Sequence, residues 1–164
     1  MVNQIYRLEI SQIDSPLIHR FHEYWRVKLA APNVLPLRAD FDPAELRELL
    51  PNLVIIDVER EPLRFRYRLV GTRVVDFNGL EFTGRYLGTI GWQEEHQLVK
   101  VCADATASGT PLLGFYSWTL RNGAIGKCEF GVFPFSEDGQ TAAQIFGIED
   151  YDFPRDHGGS RQRP

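Results

Sequence analysis

The sequence is poor in cysteine, has no long apolar run and carries no excess of basic residues. Its two cysteines, Cys102 and Cys128, form no Cys-x-x-Cys motif or Cys/His cluster, so we expect reduced core thiols rather than a zinc site or a disulfide framework. The longest uninterrupted apolar run, residues 53–56, is far shorter than the ~20 residues that a membrane-spanning helix requires. We therefore expect neither a disulfide-stapled secreted domain nor an integral membrane protein.

The charge balance excludes another class of partner. Eighteen Lys and Arg against 22 Asp and Glu give a formal net charge of -4 and a pI near 5.6. Binding to a phosphate backbone needs a basic excess, so no nucleic-acid partner is expected. Charged residues, among them Arg7, Glu9 and Asp14, interrupt the first 25 residues and leave no apolar stretch for a signal peptide. We expect a cytoplasmic protein with no membrane association.

What the sequence does contain is typical of one packed domain. Its 164 residues are 43% hydrophobic, 12% aromatic and 24% charged, close to an average globular chain and unlike a disordered or fibrous one. No internal repeat is present.

Capping signals predict three helices and a shorter piece. Ser15-Pro16 starts an amphipathic helix over residues 15–30, since a capping side chain precedes a proline at the first helical position. Asp42-Pro43 starts a second helix of about two turns that ends at residue 50. A long helix is predicted over residues 92–108, where Gly109 ends it, and a short one over residues 73–78.

The hydrophobic period changes to two at residue 53, which predicts a β-hairpin of residues 53–59 and 64–70 around Glu61-Pro62. Antiparallel pairing with residue numbers that sum to 125 places charged residues on one face and apolar residues on the other. The predicted charged pairs are Glu61 with Arg64, Glu59 with Arg66, and Asp57 with Arg68. The predicted apolar face holds Val54, Ile56, Val58, Phe65, Tyr67 and Leu69.

A second hairpin is predicted from residues 112–121 and 124–135, because Asn122-Gly123 suits a two-residue type I′ turn. A last strand follows over residues 141–148. The fold class is therefore α+β, with a five-stranded antiparallel sheet, a helical crossover and an N-terminal flanking helix. We divide the chain into an N-terminal helix and extended linker (1–42), the sheet domain (43–152) and a disordered tail (153–164).

Several separated motifs resemble, in order, those of a family of small bacterial PAS-like proteins. They are residues 24–26 (YWR), 35–43 (LPLRADFDP), 49–53 (LLPNL), 65–72 (FRYRLVGT) and 80–85 (LEFTGR). The resemblance covers roughly residues 20 to 150. It implies the PAS fold, in which the crossover helices cover one sheet face and can enclose a small-molecule pocket. Members of the wider superfamily sense ligands, redox state or light and signal through dimer contacts.

The resemblance does not identify a cofactor for this chain. A photoactive flavin adduct needs a cysteine in the short crossover helix, and residues 73–82 contain none. His96, in the long helix, is the one candidate for haem ligation, but polar neighbours at 93–97 indicate a solvated helix start. His19 and His22 lack a third ligand for a metal, so no metal site is predicted.

Strand parity predicts which residues would line a pocket. In the second hairpin, pairing with residue numbers that sum to 245 places Phe115 and Ser117 on the same face as Cys128 and Phe130. We expect that face to turn toward the crossover helix and to hold, if anything, a small apolar or aromatic ligand. The predicted ligand-binding residues are Phe65, Tyr67, Trp92, Cys102, Phe115, Ser117, Cys128 and Phe130.

The opposite face then carries Tyr116 and Trp118, which are too apolar to face water. We predict that Phe21 and Trp25 of the first helix pack over Trp118, in the same chain or across the twofold axis of a homodimer.

Three functions are considered for a chain of this sequence. The first is a PAS-type sensor and interaction module that binds a small ligand and signals through a homodimer and a protein partner. The second is a structural interaction domain whose eleven Phe, six Tyr and three Trp fill its own core without a ligand. The third, an enzyme, has no nucleophile with a base, no paired carboxylates in an apolar cleft and no phosphate loop to support it, and we expect none.

Overall fold

The structure is a computed structural model that describes residues 4–119 and 123–152, and within these residues the chain forms one antiparallel sheet of six strands. The strands are β1 (Tyr6–Leu8), β2 (Leu53–Glu59), β3 (Arg64–Val70), β4 (Leu112–Thr119), β5 (Ile125–Ser136) and β6 (Ala142–Asp152). Their order across the sheet is β1-β4-β5-β6-β2-β3. The predicted tail, residues 153–164, lies outside the described residues.

Three α-helices accompany the sheet in this part of the chain, namely α1 (Pro16–Val27), α2 (Thr72–Asn78) and α3 (Glu95–Ser108). The predicted start of α1 is confirmed, since the Ser15 hydroxyl accepts a hydrogen bond from the Ile18 N–H at 3.3 Å. Gly109 ends α3 in the left-handed conformation, with φ +66, as predicted. No helix here has the length and apolar character needed to cross a bilayer.

The predicted α+β class, with its helical crossover and N-terminal flanking helix, is confirmed, but three details differ. The sheet has a sixth strand, because β1 is three residues long and too short to show a period of two. The expected helix after Asp42 is a 3₁₀ turn over Pro43–Leu46, followed by another over Leu50–Asn52. Helix α3 begins three residues later than predicted, at Glu95.

The first hairpin keeps its predicted faces but not its predicted register. Glu59 pairs with Arg64 and Asp57 with Arg66, a shift of two residues that leaves the side chains of residues 64–67 on their predicted faces. A two-residue turn at Pro62 would need positive φ at a proline, which its ring forbids, so residues 60–63 form a longer connection.

A bulge then interrupts the pairing between Ile55 and Ile56, where Ile56 pairs with Tyr67 and Ile55 pairs with Leu69. Arg68 is therefore the extra residue of β3. The bulge turns Leu69 to the charged side of the hairpin, where it is exposed, so its predicted place on the apolar face is wrong.

The second hairpin differs by a single residue, which has larger consequences. Tyr116 pairs with Cys128 and Trp118 with Gly126, so paired residue numbers sum to 244 rather than 245. The pairing ends at Thr119 and Ile125, which leaves five residues in the connection instead of a two-residue turn. Leu120 and Arg121, the predicted end of β4, and Asn122, the first residue of the predicted turn, lie outside the described residues. The slip exchanges the two faces of β4 relative to β5.

Both faces of the sheet carry a buried apolar cluster. The inner face packs against α2 and α3, and its cluster includes Phe77, Cys102, Tyr116, Trp118 and Phe130. The outer face packs against α1, and its cluster includes Phe21, Trp25, Phe133, Phe135 and Phe146. Each face is therefore covered by helices of the same chain.

Helix α1 is fixed to the outer face by polar contacts as well as by packing. The buried Glu129 carboxylate of β5 accepts hydrogen bonds from the N–H groups of Asp14 (3.0 Å) and Ser15 (2.8 Å). The Ser15 hydroxyl donates to the Asp150 carboxylate of β6 at 2.5 Å. At the other end of the helix, the Trp25 indole N–H donates to the Pro134 carbonyl at 2.7 Å.

The predicted packing of α1 over Trp118 is wrong. Phe21 contacts Phe133 on the outer face, with ring centroids 4.8 Å apart, whereas Trp118 belongs to the inner cluster. The physical reason is the one-residue register shift, which carries Tyr116 and Trp118 together to the other side of the sheet.

We predict that Glu129→Gln loosens α1. Each hydrogen bond to a charged group contributes about 1.5–3 kcal/mol, and the amide must lose either the two backbone donors or the partner Lys127. Hydrogen exchange of residues 16–27 should speed up relative to the rest of the chain. Glu137→Gln, at an exposed carboxylate, is the control. Unchanged protection of α1 in the Glu129 variant would show that packing alone fixes the helix.

Candidate ligand-binding site

The candidate site is the inner face of the sheet beneath α2 and α3, where the sequence predicts a pocket. Six of the eight predicted ligand-binding residues lie together there. Five of them are buried, and Trp92 is half-buried against the same cluster. The six are Phe65, Tyr67, Trp92, Cys102, Cys128 and Phe130.

Phe115 and Ser117, the other two, lie on the outer face, so their predicted place in the pocket is wrong. The Phe115 ring stacks on Tyr6 of β1 with centroids 5.1 Å apart, and the Lys127 ammonium lies 5.0 Å from the same ring. Ser117 pairs with Lys127 in the register of β4 and β5. The one-residue register shift of β4 explains why Phe115 and Ser117 both lie on the outer face.

Tyr116 and Trp118 occupy the inner face instead, although the sequence assigns them to an interface. Both are buried in the inner cluster. Gly126 lies opposite Trp118, and a Cβ atom at residue 126 would collide with the indole ring. The missing side chain of Gly126 therefore makes room for Trp118.

Three rings meet on the inner face of the sheet beneath α2. Phe77 of α2 stacks on Tyr151 of β6, with centroids 3.9 Å apart and an angle of 17° between the ring planes. The Phe77 ring also contacts the Trp118 ring edge to face at 4.9 Å. Phe77 and Tyr151 were not predicted as site residues, because Phe77 is on a short helix and Tyr151 lies beyond the predicted end of the last strand, whereas Trp118 was predicted at an interface.

A second aromatic group closes the site beside α3. Phe82 packs between Tyr67, at 4.6 Å, and Trp92, at 5.0 Å, in edge-to-face contacts. Phe82 falls in one of the motifs that carry the family resemblance, which is the one sequence signal that could have identified it.

Trp92 is positioned by a buried carboxylate at the start of α3. Glu95 accepts hydrogen bonds from four backbone N–H groups of the preceding loop, at Gly88 (3.0 Å), Ile90 (2.9 Å), Gly91 (2.6 Å) and Trp92 (3.2 Å). Buried backbone N–H groups need hydrogen-bond acceptors, and here one carboxylate accepts from four N–H groups of the same loop. No pattern in the sequence predicted this role of Glu95.

Two polar groups of the site, the Cys102 thiol and the Tyr151 hydroxyl, are protonated at neutral pH. Burial, with a smaller contribution from the Glu149 carboxylate, raises the pKa of the Cys102 thiol to about 12. Burial also raises the pKa of Tyr151 well above its usual value, and the Tyr151 hydroxyl donates a hydrogen bond to Glu149. A nucleophilic thiol requires a lowered pKa, so this environment does not activate Cys102.

The histidines considered from the sequence lie outside the site. His96 is exposed on α3. The His19 ring donates a hydrogen bond of 2.7 Å to the Ile13 carbonyl. The His22 ring packs against Phe133, and burial is the main cause that lowers the pKa of His22. Within residues 4–119 and 123–152, no group of three or more His, Cys, Asp or Glu side chains is arranged to hold a metal ion.

Comparison with known proteins identifies the fold. A family model described as PAS domain matches residues 13–149, which confirms the resemblance found in the sequence motifs. A solved light-oxygen-voltage domain, studied with a flavin analogue, is similar over 67% of this chain and 83% of its own, with 12% identity and a TM-score of 0.50. At that identity the likeness concerns the fold alone. No curated protein matches this sequence.

Two further solved structures are more distant. The light-state structure of the blue-light photoreceptor Aureochrome1 LOV covers 66% of this chain and 87% of its own, with 15% identity and a TM-score of 0.45. An RNA-binding light-oxygen-voltage receptor matches 91% of this chain but only 37% of its own length, with 13% identity and a TM-score of 0.42.

We predict that Glu95→Gln unfolds the loop before α3 selectively. Glutamine has one acceptor oxygen where the carboxylate has two, and its NH₂ group would face backbone donors, so a loss of about 3 kcal/mol is expected. Chemical denaturation measures the free energy of unfolding, and hydrogen exchange at residues 88–92 locates the effect. Glu61→Gln, at an exposed carboxylate between β2 and β3, should change neither. Equal stability of the two variants would contradict the role given to Glu95.

Proposed function

This chain belongs to the PAS domain family, and from that membership we propose that it is a signalling module that acts through contacts with proteins, its interior being filled by its own aromatic side chains. PAS domains are sensor modules and are generally not enzymes. The proposal combines the family role with the second function considered from the sequence, in which the core needs no ligand.

The contact of Phe77 with Tyr151 and Trp118 carries this proposal. A PAS pocket lies between the sheet and the crossover helices, and in this chain three rings meet there at centroid distances of 3.9 and 4.9 Å. Interiors packed to this extent leave few voids larger than a water molecule. A small apolar or aromatic ligand would have to displace the Phe77 ring.

A flavin fits this site poorly. Flavin is the cofactor associated with the first solved structure that the chain resembles, so the comparison raises it. Phe77, Trp118 and Tyr151 contact one another between the sheet and α2, and in the filled interior that we propose they leave no space for a planar ring system. Helix α2 contains no cysteine for an adduct, and Cys102 and Cys128 lie on α3 and β5 with their thiols buried. We therefore propose no light-sensing role for this chain.

We predict that Phe77→Ala creates a binding cavity that the parent protein lacks. Removal of the ring should cost about 3–5 kcal/mol of stability, and an apolar cavity of this kind binds small aromatic molecules. Indole should raise the melting temperature of the variant and leave that of the parent unchanged. Tyr151→Ala, which removes the ring stacked on Phe77, is the fallback if the Phe77 variant does not fold, and Phe77→Leu, which keeps most of the volume, is the control that should not bind indole.

The ligand-binding sensor is the competing outcome. If apolar compounds stabilise the parent as much as the variant, or if a ligand stays with the parent through native purification and mass spectrometry, the filled interior is wrong and the sensor function replaces it. A ligand at 100 times its Kd would add about 2.7 kcal/mol to the stability of the parent.

The homodimer expected from the sequence is one form that a protein contact can take. With the observed register, the outer face beyond α1 shows Tyr6, 47% exposed, and Ile125, 64% exposed, beside the half-buried Phe115. None of the three belongs to a core cluster. The apolar area left uncovered there supports a second copy as its partner.

We predict that Ile125→Glu converts a dimer into a monomer, since it places a charge in that contact. Sedimentation velocity over a range of concentrations measures the change. Val27→Glu is the matched control, because Val27 is 65% exposed but lies at the end of α1. A parent that sediments as a monomer throughout, or an Ile125 variant that stays dimeric, contradicts this interface.

A further inference from the structure

A cavity of about 460 Å³ lies on the outer face, on the opposite side of the sheet from the PAS pocket. It opens to solvent and falls within the usual size of ligand sites, roughly 300–1,000 Å³. Its lining combines apolar residues with one cation and one carboxylate. The residues are Leu37, Arg38, Ala39, Phe41, Ile55, Ser136, Glu137 and Phe146.

The motif at residues 35–43 builds one wall of this cavity, and the proposed function gives that motif no role. Backbone hydrogen bonds join the motif to the ends of β5 and the following turn, from the Leu35 N–H to the Gly139 carbonyl at 2.7 Å and from the Ser136 N–H to the Pro36 carbonyl at 2.8 Å. The 3₁₀ turn Arg38–Asp40 comes next along the chain. The wall is therefore anchored to the sheet.

The apolar floor continues past the cavity along one row of the sheet. Phe146 pairs with Ile55, and Ile55 pairs with Leu69, so the row runs from β6 to the edge strand β3. Burial decreases along it, from a buried Phe146 through a half-buried Ile55 to Leu69, which is 44% exposed. Leu37, on the motif, is 36% exposed. An occupant that covered this row would be longer than the cavity, which favours a chain over a small molecule.

Two charges at the cavity have no partner in the described part of the chain. The Arg38 guanidinium and the Glu137 carboxylate are both exposed and form neither an ion pair nor a side-chain hydrogen bond there. The arginines of the nearby hairpin differ, since Arg64 and Arg66 both pair with Glu59, at 2.9 and 3.1 Å. Arg38 and Glu137 are thus available to charges of opposite sign on an occupant.

We propose that this cavity is a docking site for a short extended segment of a partner protein. An apolar side chain of the segment enters the cavity over Ile55 and Phe146, and an acidic and a basic neighbour pair with Arg38 and Glu137. Charge pairs at the rim select the partner and orient it, while the apolar anchor supplies affinity. The inference rests on the proposed function, because it identifies the surface and the chemistry of the partner through which the module acts.

Selection from a phage-displayed library of random linear peptides tests the site. The selected sequences should share an apolar residue flanked by an acidic and a basic one. Fluorescence anisotropy with a labelled synthetic peptide of that sequence then measures Kd. Arg38→Glu should weaken binding about tenfold, because like charges then meet at the rim, and replacing the acidic residue of the peptide by lysine should restore it.

Arg73→Glu is the matched control, since Arg73 is an exposed arginine on α2 at the inner face and should leave Kd unchanged. The docking site is overturned if no peptide family is enriched, or if the enriched peptides bind the Arg38 and Arg73 variants alike. Either result leaves the filled interior standing. Stabilisation of the parent by an apolar ligand would overturn the proposed function whatever the peptides show.

Discussion

The contact between Trp118 and Gly126 determines how the two layers of this protein are arranged. The two residues face each other across β4 and β5, and the indole ring occupies the space where a side chain at residue 126 would lie. A shift of one residue in this pair of strands would turn every side chain of one strand to the other face. The inner cluster gains Tyr116 and Trp118 from this register, and the outer face gains Phe115 and Ser117.

Once the register is set, each face of the sheet has a different cover. The crossover helices pack on the inner face over the rings that we propose to fill it. Helix α1 covers only part of the outer face, where Glu129 fixes its first residues. The uncovered parts of the outer face are the Tyr6–Ile125 region and the cavity beside Arg38. Surface that remains apolar after a chain has folded is where association gains most. We therefore infer that the protein binds its partners through the outer face of the sheet.

In the filled interior that we propose, the thiol and the hydroxyl of the inner face are structural groups. The buried Cys102 thiol and Tyr151 hydroxyl both have raised pKa values, so neither supplies an anion near neutral pH. The Glu95 carboxylate accepts hydrogen bonds from four backbone N–H groups of one loop. The hydrogen bonds of Tyr151 and Glu95 thus stabilise the packing of the domain. A PAS fold can in this way keep its architecture while its pocket becomes a core.

The sequence by itself determined the α+β class, the start of α1 at Ser15-Pro16, the end of α3 at Gly109 and the two faces of the first hairpin. These features depend on local signals, such as a cap, a left-handed glycine or an alternation of charged and apolar residues. Only the tertiary structure decided the register of β4, the pairing of β1, and the meeting of Phe77 with Tyr151. The reason is that β4 carries apolar residues on both of its faces, with Leu113 and Phe115 on one and Tyr116 and Trp118 on the other, and a period of two cannot distinguish two faces that are both apolar.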